Sequence, residues 1–131
     1  MRTTFGPERL TVLDVRISSG LQVFRIVRSE VEDDPALENS FRSHYELAWK
    51  PRGPERSSAV LHMGISVHVN SADAEGTARR FRKIGGYVAQ LVLRPGNGFN
   101  YAHTAQPGHL TVWGDPLKLC ASIDRIRPVA H

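Results

Sequence analysis

The chain has 131 residues, 40% of them hydrophobic and 23% charged, with a net charge of +4. That length suits a single domain with one core, and the mix excludes a disordered chain. A lone cysteine and no apolar run near the ~20 residues of a bilayer span exclude a disulfide scaffold, a Cys-rich zinc module and a membrane protein; with no basic segment leading into an apolar one, no secretory signal and a cytoplasmic location are expected.

Residues 1–9 read as a loose N-terminal arm on a single domain spanning 1–131. Leu10–Ile17 (LTVLDVRI) reads as a strand, 18–20 as a turn, and Leu21–Arg28 (LQVFRIVR) as a second strand rich in β-formers. The acidic stretch SEVEDDP is a loop ending in proline. Leu37, Phe41, Tyr45 and Ala48 recur at helical spacing and predict an amphipathic helix over 36–48. Residues 50–58 (KPRGPERSS) are a loop.

Val60–Val69 (VLHMGISVHV) alternates and reads as a strand. Met63, Ile65, Val67 and Val69 point one way, and His62, Gly64, Ser66 and His68 the other. A helix follows from Ser71 to about Lys83, with Ala74, Ala78 and Phe81 inward, stopped by Gly85-Gly86. Tyr87–Leu93 is a strand, Pro95–Gly98 a turn and Phe99–Ala102 a short strand. After the turn at 106–108, His109–Trp113 (HLTVW) is a strand. Pro116 opens a short helix, and Ile123–Val129 closes the chain as a strand. The order lacks sustained βαβ alternation, so the expected class is α+β, with mostly antiparallel pairing and two or three short helices. Met63, Ile65, Val67, Leu91, Leu110 and Val112 are the expected core.

Charge divides unevenly along this order. Through Glu75 there are nine Lys/Arg against eleven Asp/Glu; from Gly76 onward there are eight against two. The second half is therefore set to attract phosphate.

Three features carry chemistry. Arg25 is a cation inside an otherwise apolar strand, where its planar fork either clamps phosphate or carboxylate or pairs internally, with Asp14 on the neighbouring strand as the expected partner. His62, Ser66 and His68 share a polar strand face in which Gly64 leaves room for a ligand. His109 heads a strand whose other polar residue is Thr111. No His/Asp cluster has metal-ligand spacing, and there is no GxSxG elbow, so neither a metal nor a serine hydrolase is expected.

In order and spacing, FRIVR with Arg25, HMGIS with Ser66, SADAEGTARRF, YVAQLVL, GHLTVW and IDRIRPV resemble the small ADP-ribosyltransferase-like domains, including the RES-type NAD-degrading toxins. The resemblance covers most of 21–129. It implies a split β-sheet whose first-strand Arg contacts NAD, whose second-strand Ser shapes the nicotinamide pocket, and whose late Glu promotes glycosidic cleavage. Arg25 and Ser66 stand at the first two positions. His109 stands where the glutamate is expected, and no glutamate occurs after Glu75.

The resulting expectation is a cleft lined by Arg25, His62, Ser66, Tyr101 and His109. It binds NAD or a related phosphorylated nucleotide, and it transfers or cleaves ADP-ribose with His109 as acid or base. NAD is the expected co-substrate, without a metal, and RNA or protein is the acceptor. Two other classes fit the same residues. One is a metal-free ribonuclease using His62 and His109. The other is a non-catalytic regulatory or immunity module presenting Trp49 and the 50–58 loop to a partner.

Overall fold

The computed structural model describes residues 2–5, 10–15, 20–50 and 58–130, with backbone alone at 2–5, 10, 11 and 14. The elements in order are β1 (Arg2–Phe5), β2 (Leu10–Asp14), β3 (Leu21–Val27), α1 (Pro35–Asn39), α2 (Ala59–His62), β4 (Ile65–His68), α3 (Ser71–Arg80), β5 (Tyr87–Leu93), β6 (Asn100–His103), β7 (His109–Trp113), α4 (Pro116–Ala121) and β8 (Ile123–Pro128). One eight-stranded sheet has the order β1-β2-β6-β7-β4-β3-β5-β8. Every neighbouring pair in it is antiparallel. The chain is thus α+β with an antiparallel sheet and, among the described residues, four short helices. None of these helices is long and apolar enough to cross a membrane.

The expected N-terminal arm contains β1, which pairs with β2 from Arg2↔Leu13 to Phe5↔Leu10. β2 and β3 are not neighbours, because β6, β7 and β4 lie between them. Asp14, opposite Asn100 on β6, is therefore not on a strand beside Arg25. The end of the first expected strand, its turn at 18–19 and the loop at 51–57 lie outside the described residues.

The expected helix over 36–48 stops at Asn39. Asp34 caps α1 by accepting from Ala36 N at 2.9 Å, and Pro35 occupies its first turn. Serines then draw the backbone away from helix. Ser40 Oγ donates to Ala36 O and accepts from Arg28 N, while Ser43 and Glu46 exchange side chain–backbone bonds of 2.9 and 3.1 Å that start a separate turn. A helix also replaces the first part of the expected 60–69 strand. Ser58 Oγ accepts from Leu61 N, so Ala59–His62 coil into α2 and the strand begins at Ile65.

Two cores follow from the pleat. On one face Val23, Val27, Ile65, Val67, Leu91, Leu93, Leu110 and Val112 pack with Leu37 and Phe41 from the α1 region and Leu119 from α4. On the other, α3 lays Ala74 and Ala78 on Ile26, Val88 and Val129. Asn70 caps α3 by accepting from Asp73 N at 2.8 Å. Two core expectations fail. Met63 is 51% exposed because it ends α2 instead of lying in a strand, and Phe81 is 57% exposed because α3 ends before it.

The sheet has one weak seam. β3 matches β5 over seven residue pairs and β4 matches β7 over four, but β3 and β4 meet at the single pair Phe24↔His68. Beyond it the backbone ladder gives way to a side chain.

Candidate functional site

That side chain is Arg25. Its Nε donates to Ser40 O at 3.0 Å and its Nη1 donates to Ser66 O at 2.7 Å, across the seam. The residue is half-buried, and burial strips part of the water from its guanidinium. Among the described residues no carboxylate bonds to it. Loss of solvation, and then the nearby Arg28 charge, push its pKa down to about 10. It stays ionised at neutral pH as a cation held by carbonyl dipoles, with no counter-charge among the described residues. The strand order separates Arg25 from Asp14, its expected internal partner.

Beside the seam, β4 and β7 pair as Ser66↔Thr111, Val67↔Leu110 and His68↔His109. The last pair brings two imidazoles together, with ring centres 5.5 Å apart and planes at 85°. His109 Nδ1 lies 3.1 Å from Thr104 O and 3.0 Å from Thr104 Oγ1. A carbonyl only accepts, so this contact assigns the proton of neutral His109 to Nδ1 and leaves the lone pair on Nε2. Thr104 Oγ1 is in turn 2.9 Å from Thr111 Oγ1. Burial is the main cause holding both imidazoles below the ordinary range. For His68 the His109 charge adds to it, Asp73 opposes it and Arg25 and Arg80 add to it. For His109 the bond to Thr104 opposes it and Arg25 adds to it. The centre is rich in cationic groups and poor in carboxylate.

The five residues expected to line one cleft divide. Ser66 and His109 do share a face, with Ser66 exposed. Arg25 lies opposite Ala89 in the main core, so the pleat roots it on the other face, and it reaches a β4 carbonyl instead of the Ser66 hydroxyl. Tyr101 pairs with Val112 and packs on the main core, with His103 at 6.2 Å; it faces away from His109. His62, at the end of α2, belongs to a separate group with His44 at 6.4 Å and Tyr45 at 5.9 Å, where Trp49 stacks near His44 at 5.3 Å. The ribonuclease pair His62/His109 is therefore not assembled; His68 takes that position beside His109. Gly64 leaves no room for a ligand either. A Cβ there would meet Thr111 Cγ2 at 2.4 Å and Trp113 Nε1 at 2.9 Å, so the glycine admits the Trp113 ring, whose Nε1 donates to Val60 O.

His68, Thr104 and Thr111 are the functional candidates that sequence reasoning left out of the site. His68 alternates with Ser66, and Thr111 with His109, so the signal was present within each strand. Its meaning depended on β4 lying beside β7. Among the described residues no three His, Cys, Asp or Glu side chains converge as metal ligands would. A hollow of about 270 Å³ near Arg94, Lys118, Ser122 and Asp124 shares no residue with the seam. Comparison of the chain with protein-family models, with curated proteins and with solved structures finds no match in any of the three.

Proposed function

We propose that the chain binds a phosphorylated nucleotide of the NAD class at the β3–β4 seam, with Arg25 facing the phosphates and the His68–His109 pair handling a proton. The observation that carries this reading is the partly desolvated guanidinium of Arg25, bonded to two carbonyls and, among the described residues, to no carboxylate. A buried charge is costly unless it is paired, and a phosphate supplies the missing charge with matching fork geometry. The likeness to ADP-ribosyltransferase-like domains adds to it. The strands bearing His109, Ser66 and Arg25 are consecutive neighbours, β7-β4-β3, and β3 and β4 meet at a single residue pair.

The chemistry that fits is cleavage or transfer at the nicotinamide glycosidic bond. The C1′–N bond breaks with its electron pair leaving on nicotinamide, water or an acceptor hydroxyl attacks C1′, and the attacking oxygen gives its proton to His109 Nε2. A neutral imidazole suits this step better than an imidazolium, because it does not repel an oxocarbenium-like centre. The depressed proton affinity of both histidines keeps them neutral near pH 7.

Calorimetric titration with ADP-ribose and NAD tests the reading. Binding to the wild type is expected, weakened about tenfold or more by Arg25→Gln and partly kept by Arg25→Lys. His109→Ala should keep affinity within a few fold and lower any NAD cleavage by roughly 10²–10⁴. No binding to a folded wild type, or unchanged affinity in folded Arg25→Gln, overturns the proposal.

A further inference from the structure

A second charged region borders the seam, which it meets at Phe24 and Arg80. α3 ends in Arg79-Arg80 and is followed by Phe81, Arg82 and Lys83, while β8 runs as the edge strand of the sheet. The register Phe24↔Gln90↔Arg125 and Val88↔Arg127 turns both β8 arginines toward the face that α3 covers. Ser71, Glu75, Gln90, Arg125 and Arg127 line one crevice of about 100 Å³ between helix and strand. Arg79 Nη1 reaches Ala130 O at 3.5 Å, which ties the end of α3 to the chain beyond β8.

Arg125 and Arg127 line that crevice, Arg79 is tied to the chain beyond β8, and Arg80, Arg82 and Lys83, at and just after the end of α3, are exposed as well. Two carboxylates oppose them. Glu75 lies 4.0 Å from Arg79, and Asp124 accepts from Gln90 Nε2 at 3.3 Å. Within the cations stands an aromatic ring that the core does not use. Phe81 is 57% exposed, with the Arg80 guanidinium 5.9 Å from its ring centre.

We propose that this α3–β8 face binds single-stranded nucleic acid, with phosphates on the arginines and an unstacked base on Phe81. Clustered cations around an accessible ring are what sequence-tolerant single-strand binding uses. A duplex would offer Phe81 no free base face. A lipid surface would need a broader apolar face than Phe81 and the 39%-exposed Ile84 provide. The crevice abuts the seam at Phe24, but none of the groups assigned to the nucleotide, Arg25, His68 and His109, contributes to it, so the proposal does not depend on the nucleotide reading.

Fluorescence anisotropy with a labelled oligouridylate of about a dozen nucleotides tests it over a range of salt. Binding should fall steeply with salt, by roughly 0.7 in log–log slope per phosphate neutralised. The double variant Arg125→Gln/Arg127→Gln should weaken binding about tenfold or more and flatten the slope by about 1.4. Phe81→Ala should weaken it about fivefold or more at unchanged slope, and Phe81→Trp should restore it. All these residues are exposed, so the urea midpoint should stay at the wild-type value. Absence of RNA binding at low salt overturns the proposal, as does binding that the arginine variant leaves unchanged. Binding to phosphatidylserine vesicles without binding to RNA also overturns it. ADP-ribose affinity, measured on the same variants, should not move; if ADP-ribose fails to bind the wild type while RNA binds through these residues, only the seam reading falls.

Discussion

His68 and His109 stand directly opposite each other on β4 and β7, with rings 5.5 Å apart and nearly perpendicular. Because they share one partly closed space, a proton on either ring disfavours a proton on the other. Arg25 opposes both.

Stability should therefore depend on pH through this pair. Both folded-state proton affinities lie below the ordinary imidazole value, so the unfolded chain binds more protons as pH falls past about 6.5. Their contribution is fully present above that pH and is lost as pH drops through the folded-state values. The urea midpoint is expected to be flat near neutral pH and to decline below about pH 6.5, less steeply in His68→Gln and His109→Gln. An equal decline in wild type and both variants would assign the effect to other groups.

Anion binding should carry the opposite sign. A phosphate placed beside the pair raises both proton affinities, so toward acid pH binding is coupled to proton uptake, and there the neutral His109 that cleavage needs is lost. ADP-ribose affinity should rise several-fold between about pH 8 and pH 6, and calorimetry in buffers of different ionisation enthalpy should count the protons taken up. Affinity independent of pH would mean that the phosphates lie away from the histidines.

Arg25 is expected to do two things at once. Its bonds to Ser40 O and Ser66 O close the seam, so Arg25→Gln should cost about 1–2 kcal/mol by removing both bonds and leaving the part-buried Ser40 carbonyl without this donor. Its unbalanced charge should also make the wild type gain stability from an anion. Millimolar pyrophosphate should raise the melting temperature of the wild type and leave that of Arg25→Gln unmoved. An equal rise in both would place the anion elsewhere.

Packing around β4 gives a sharp comparison. Val67 is 1% exposed and Met63 is 51% exposed. Val67→Ala should cost about 2–3 kcal/mol in a denaturant titration, while Met63→Ala should stay within about 0.5 kcal/mol. Gly64→Ala should cost about 1–3 kcal/mol, because its Cβ would collide with Thr111 and Trp113, and it should shift Trp113 fluorescence. A Gly64→Ala variant with the wild-type midpoint and spectrum would show that Trp113 repacks freely.

Much of the fold was legible along the chain, for a local reason. Alternation on Ile65–His68, Tyr87–Leu93 and His109–Trp113 has period two, and a sheet with one face on the main core preserves that period in burial, so Ile65, Val67, Leu91, Leu110 and Val112 are buried as expected. The local signals misled where a serine decided the backbone. Ser58 turned the start of an alternating run into α2, and Ser40 and Ser43 cut a helical pattern short at Asn39. Both effects are side chain–backbone bonds, which periodicity does not report.

The candidate site was legible only in part, because strand order is a long-range property. The sequence by itself determined that Arg25 sits in an apolar strand, that Ser66 alternates with His68 and that His109 alternates with Thr111. The tertiary structure decided which of these meet. By placing β4 between β7 and β3, it set His68 against His109, left His62 on a helix with His44 and turned Tyr101 to the opposite face. It also put three strands between Asp14 and Arg25, and that guanidinium lies at the seam with carbonyls for partners and, among the described residues, no carboxylate. Periodicity fixes which way a side chain points on its own strand; only the pairing of strands distant in sequence fixes what it points at.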